Sequence, residues 1–137
     1  MVGRRRAGES SVDEERNIKS AMGNNTIHKL PFLEADRKNF ELIRRGKKKI
    51  ETRAGNPEYF QIRKDDSIEF SCGDEKIIKR VKKISHYKNL DDLFAAYKFQ
   101  EINPEISSYE ELKKRYAEFP GYEQRIKKYG VLVFELE

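Results

Sequence analysis

Residues 131–134 read Val-Leu-Val-Phe without a polar side chain between them. A strand that is apolar on both faces has to be covered on both, so residues 130–136 are predicted to form an interior strand, buried at the centre of a sheet. The rest of the chain must then supply both the neighbouring strands and the material that covers the two faces.

The neighbouring strands are legible as shorter segments. Residues 27–32 form a strand candidate in which Pro31 marks an edge or an ending, because proline cannot donate to a ladder. In residues 67–72, Ile68, Phe70 and Cys72 alternate with polar residues, the pattern of a half-buried strand. Residues 72–75, Cys-Gly-Asp-Glu, close a hairpin into a long strand over residues 76–87, whose apolar phase shifts partway; a bulge near Lys82 accounts for the shift. Helical periodicity appears over residues 34–45, where Phe40 and Ile43 recur on one side and Asp36 and Arg37 fall on the other. A second helix begins after Asn89, a plausible cap, and a third after Ser107 and Ser108, which with Glu110 and Glu111 offer overlapping capping boxes. Residues 122–129 form a short helix rich in Lys and Arg before the closing strand.

This order of elements lacks the regular alternation of a doubly wound sheet. It fits an α+β fold, a small closed or partly closed β-barrel of about five to six strands with inserted helices. With 137 residues, of which 36% are hydrophobic and 39% charged, the chain fits one small domain with a modest core and is not large enough for two domains. Residues 1–25 hold few apolar side chains and cannot bury enough surface to offset chain entropy. They are expected to be a disordered N-terminal tail, leaving 26–137 as the domain.

Charge narrows the function classes. The net charge of +5 favours polyanionic partners such as nucleic acid. The single cysteine, Cys72, excludes an internal disulfide, and His28 and His86 without a cysteine cluster give no zinc-ligand spacing. No metal or other cofactor is expected. No run approaches the ~18 apolar residues of a membrane span, and the N-terminal charges are not followed by the apolar segment of a signal peptide. A cytoplasmic setting without membrane contact is expected.

The positive charge concentrates in Arg44-Arg45-Gly46-Lys47-Lys48-Lys49-Ile50-Glu51-Thr52-Arg53. Gly46 is a natural helix stop, and residues 49–53 then alternate like a strand. In a strand Lys49, Glu51 and Arg53 share one face, and Lys48, Ile50 and Thr52 the other. A carboxylate held between cations stays ionised and orients them, while the cations remain donors for phosphate or a polar base edge.

With these residues on view, the chain resembles the ASCH domain family of the PUA-like superfamily. The resemblance rests on a G-x-K-x-x-E-x-R core, here Gly46, Lys48, Glu51 and Arg53, on the 62–70 turn and strand, on the strand ending in His86-Tyr87, and on the Tyr129-Gly130-Val131 start of the last strand. It covers roughly residues 27–137 and implies a PUA-like barrel with a cleft beside the motif and a role near RNA or modified nucleosides. Where the family usually has Gly-Asp before the third strand, this chain has Asp65-Asp66; aspartate tolerates the left-handed conformation, so the turn is expected to survive.

Two functions follow from the resemblance and the residues together. In the first, the chain binds RNA or a modified nucleoside through the basic cleft, with Arg45, Lys47, Lys48, Lys49 and Arg53 as the nucleic-acid-binding residues and Arg53 held by Glu51. In the second, it is a metal-independent hydrolase of a modified nucleoside or of RNA, with Lys48, Glu51 and Glu105 as catalytic residues. One branch of the family is similar to acetylcytidine amidohydrolases, whose site is thought to use a Lys and a Thr of this strand and a later Glu. Here Glu51 stands at the threonine position, and an acyl-glutamate would be an anhydride, so that reaction does not transfer unchanged. Thr52 is adjacent but faces the other way.

Overall fold

The computed structural model describes residues 26–137; the expected tail over residues 1–25 lies outside the described residues. Five strands form one curled, half-barrel sheet in the order β1-β3-β4-β5-β2. They are β1 (Ile27–Phe32), β2 (Ile50–Ala54), β3 (Ser67–Cys72), β4 (Glu75–Tyr87) and β5 (Val131–Leu136). Among the described residues the α-helices are α1 (Arg37–Arg44), α2 (Leu90–Ala96), α3 (Phe99–Ile102), α4 (Tyr109–Glu118) and α5 (Tyr122–Tyr129).

The long strand β4 explains the curl. Its first half pairs with β3 and its second half with β5, and the register shifts between Val81 and Lys83. The extra residue is Lys82, where the sequence pattern placed a bulge, and a bulge bends its strand and strengthens the local twist. One strand thereby turns the corner between two halves of the sheet. The half-barrel is left with two edges, β1 and β2. β1 runs parallel to β3, with Ile27 opposite Ser67 and Phe32 opposite Cys72.

Local signals end and start these elements as their chemistry requires. Gly46 adopts φ +75°, and the N–H groups of Gly46 and Lys47 donate back to the carbonyls of Ile43 and Leu42, the bond pattern of a left-handed helix stop. Asn89 Oδ1 accepts from the Asp92 N–H at 2.8 Å, and Ser108 Oγ accepts from the Glu111 N–H at 3.1 Å. Asp65 sits at φ +74°, the left-handed position expected of it. Its neighbour Asp66 is buried and accepts from His28 Nε2 at 2.8 Å and the Arg63 N–H at 3.0 Å. Gly130 cannot be replaced: a Cβ there would lie 2.4 Å from the Tyr87 carbonyl oxygen. His86 beside it donates to the Tyr129 carbonyl at 2.7 Å, a structural task at the strand's end.

Both faces of the sheet are covered, as the apolar run of β5 demands. On one face Leu30, Ile68, Phe70, Val81, Leu132 and Phe134 pack with Phe40 and Ile43 of α1. On the other, Ile50, Ala54, Val131 and Val133 pack with Leu93, Ile102, Leu112, Tyr116 and Ile126 from the later helices. β5 therefore alternates between two cores rather than between core and solvent.

Candidate nucleoside cleft

A cleft of about 620 Å³ opens where the two sheet edges face each other. Its lining comes from the end of β1 and the turn after it (Pro31, Phe32, Asp36), from β2, from Tyr59, and from α4 and α5 (Arg115, Tyr116, Tyr122, Arg125). That size suits a drug-sized or nucleoside-sized ligand.

The floor is ionic. Lys48 and Glu51 are each 4% exposed and Arg53 is 9% exposed. Lys48 Nζ donates to Glu51 Oε1 at 3.0 Å, and Arg53 Nε donates to Glu51 Oε2 at 2.9 Å. Arg53 Nη1 also reaches the Pro31 carbonyl at 3.3 Å, tying edge β2 to edge β1, and its guanidinium lies 4.8 Å from the centre of the Phe32 ring. Burial works to raise the Glu51 carboxyl, but the charges of Lys48 and Arg53 outweigh it and hold the carboxyl below the usual range. Burial likewise works against the Arg53 cation, and Glu51 more than restores it. The floor is thus two cations and one anion at neutral pH.

One expectation is corrected here. Strand β2 begins at Ile50 rather than Lys49, so Lys48 is not bound by strand alternation to the face opposite Glu51. The Leu42 carbonyl accepts from the N–H groups of both Lys47 and Lys48, at 2.9 and 3.0 Å, and this tight wrap after Gly46 carries Lys48 to Glu51. Lys49 is exposed instead of joining Glu51, and only its backbone carbonyl enters the sheet, accepting from Leu136 N–H at 2.9 Å. The alternation of Glu51 and Arg53 against Thr52 does hold. Glu51 and Arg53 stand opposite Phe134 and Leu132 of the α1-side core, whereas Thr52 stands opposite Val133 and bonds the Tyr116 hydroxyl among the later helices.

The other sequence candidates fall elsewhere. Arg45 and Lys47 are exposed on either side of Gly46, past the end of α1, and do not line the cleft. Glu105 is exposed in the loop after α3, paired with Lys38 at 3.4 Å, and does not line the cleft either. The structure brings Lys48, Glu51 and Arg53 together and leaves Glu105 apart.

Several lining residues have no signal in the sequence near the motif. Asp36, assigned to the polar side of its helix, is part-buried at the cleft; burial and the charge of Glu51 raise its carboxyl, while Arg53 and Arg115 oppose them. Arg125 donates to the carbonyls of Ala54 and Gly55 at 2.8 and 3.4 Å and lies 5.2 Å from the Tyr122 ring centre and 5.8 Å from that of Tyr59. Tyr122 stacks on Tyr116 at 6.3 Å and meets Phe119 at 4.9 Å, giving the cleft an aromatic wall. Burial pushes the Tyr116 and Tyr122 hydroxyls up, so both remain neutral donors. Nothing in the sequence joined α5 to the motif. Among the described residues no group of three or more His, Cys, Asp or Glu is placed to hold a metal, and no helix is long and apolar enough to cross a membrane.

Comparison with known proteins agrees with this architecture. The family model described as the ASCH domain matches residues 33–137. The crystal structure of the hypothetical protein PH0355 is similar at 32% sequence identity, with 82% of this chain and 98% of that one covered and a TM-score of 0.71. The solution NMR structure of protein PF0455 from Pyrococcus furiosus is similar at 30% identity, covering 82% and 96% of the two chains with a TM-score of 0.65. No curated protein matches the chain.

Proposed function

The chain belongs to the ASCH domain family, generally thought to bind RNA, and from that premise we propose that it binds single-stranded RNA with one nucleoside seated in the cleft. The observation that carries this reading is a nucleoside-sized cleft with a buried, donor-rich ionic floor and an aromatic wall. Single-stranded RNA is recognised in this manner, by splayed bases that stack on aromatic side chains and are hydrogen-bonded on their edges. The exposed cations Arg45, Lys47 and Lys49 meet the phosphates outside, where counterion release drives association. Lys48 and Arg53 serve the base or ribose inside. A salt titration of binding to a short single strand tests the reading, with an expected slope of roughly −0.7 per phosphate contacted. Binding that ignores salt, or its absence at low salt, would sink it.

A second reading, hydrolysis of a modified nucleoside, is favoured by Lys48 lying 3.0 Å from Glu51 within the same cleft. The electrostatics make it the weaker one. A general base works best with a pKa near the operating pH, and Glu51 is held below the ordinary carboxylate range. The Thr52 hydroxyl, which also lines the cleft, is engaged with the Tyr116 hydroxyl. Incubation with acetylcytidine followed by chromatography separates the two readings: no deacetylation is expected, and turnover abolished by Lys48→Ala would promote the hydrolase.

A further inference from the structure

The floor of the cleft carries more donors than its own partners use. An ammonium has three N–H groups and a guanidinium five. Lys48 spends one on Glu51, and Arg53 spends its Nε–H on Glu51 and one Nη1–H on Pro31. Each oxygen of Glu51 accepts once from these cations and has a second lone pair. The Lys48 and Glu51 side chains are more than nine-tenths buried and that of Arg53 is 11% exposed, yet all three line the cleft. In chain order through the hydrogen bonds, the floor therefore offers donor, acceptor, donor: Lys48, Glu51, Arg53.

Resting on the RNA reading above, we propose that this row selects a uracil-type base, reading its Watson–Crick edge. Uracil presents O4, N3–H and O2, an acceptor, a donor and an acceptor, which is the complement of the row. Cytosine presents an amino donor followed by two acceptors, and sets its amino group against a cation. Guanine presents one acceptor followed by two donors, and adenine an amino donor beside one acceptor; each leaves a buried donor facing a donor. Mismatches of this kind discriminate strongly, because a site built around buried polar groups is left with unpaired ones when the wrong edge enters. Phe32 lies against Arg53, and Tyr122 and Phe119 line the far side, so aromatic surface is available to the face of the base. Both charges of Glu51's partners are oriented before the base arrives, which lowers the cost of binding.

The test is competition binding of the full chain, at low salt, to short single strands made only of uridine, only of cytidine or only of adenosine. The uridine strand is expected to bind about tenfold or more tightly than the others. Chemistry on the ligand then probes the edge without disturbing the protein. A central 3-methyluridine, which loses the N3–H, is expected to weaken binding about tenfold, while 5-methyluridine, whose edge is intact, changes it by less than about twofold. Equal binding of the three strands, preference for cytidine or adenosine, or indifference to N3 methylation overturns the edge reading and leaves the RNA reading standing. Failure of every strand to bind at low salt removes the premise as well.

Discussion

On β2, the side chains of Glu51 and Arg53 turn toward the α1-side core, whereas Ile50, Thr52 and Ala54 turn toward the core built with the later helices. Every residue of this strand is buried. The second face is assembled like an ordinary protein interior, with apolar groups in contact and one hydroxyl, that of Thr52, bonded to Tyr116. The first holds an ion triad beside an otherwise apolar cluster, a costly arrangement, since charges leave water reluctantly and a well-packed apolar replacement is often as stable. The difference teaches that the second face of the strand is packed for stability and gives the cleft only Thr52, whereas the first keeps costly charges where the cleft can use them.

The largest effect should come from breaking the triad on one side only. Glu51→Ala leaves Lys48 and Arg53 buried without their anion and is expected to cost about 3–5 kcal/mol in denaturant unfolding. The same dependence should be visible in wild type as a pH effect. Because the folded Glu51 carboxyl lies below its ordinary value, its contribution is complete above the unfolded value and is lost as pH falls through the folded one. Melting temperature should therefore drop on the acid side; an acid limb identical in wild type and Glu51→Gln would show that the triad does not contribute it.

Next in size is a cavity on the opposite face. Leu93, fully buried among the helices, should cost about 2–5 kcal/mol when replaced by alanine, while leaving the affinity for a single strand unchanged. Loss of affinity in the folded variant would break the division between the two faces. Removing the whole triad sharpens it from the other direction. Lys48→Met, Glu51→Leu and Arg53→Met together should leave stability unchanged or raise it by about 1–4 kcal/mol, with strand binding in the cleft abolished and the acid limb flattened. The smallest change is Thr52→Val, which strands the buried Tyr116 hydroxyl and should cost about 1–3 kcal/mol of stability by calorimetry.

Much of the fold was legible because its signals act over a few residues. The Asn89 cap, the Ser108 cap, the left-handed Asp65, the Gly46 stop and the Lys82 bulge are each local consequences of side-chain geometry or of a phase change in alternation. The candidate site was legible only along β2. The placement of Lys48 depended on where the strand begins, and a one-residue difference there moved it from one face to the other. Tyr116 is 64 residues from Thr52 and Arg125 is 71 from Ala54, and no spacing rule joins residues so far apart.

By itself the sequence determined most of the strands and helices though not α3, the interior position of β5, and the alternation that sets Glu51 and Arg53 against Thr52, because periodicity and capping are short-range physics written into neighbouring side chains. Only the tertiary structure decided that β1 would lie parallel to β3, that the two sheet edges would face each other across a cleft, and that α4 and α5 would bring tyrosines and Arg125 to it. It also decided that the charges of the motif would be buried. Burial is a property of what is packed around a residue, and that packing comes from chain segments whose meeting no local pattern specifies.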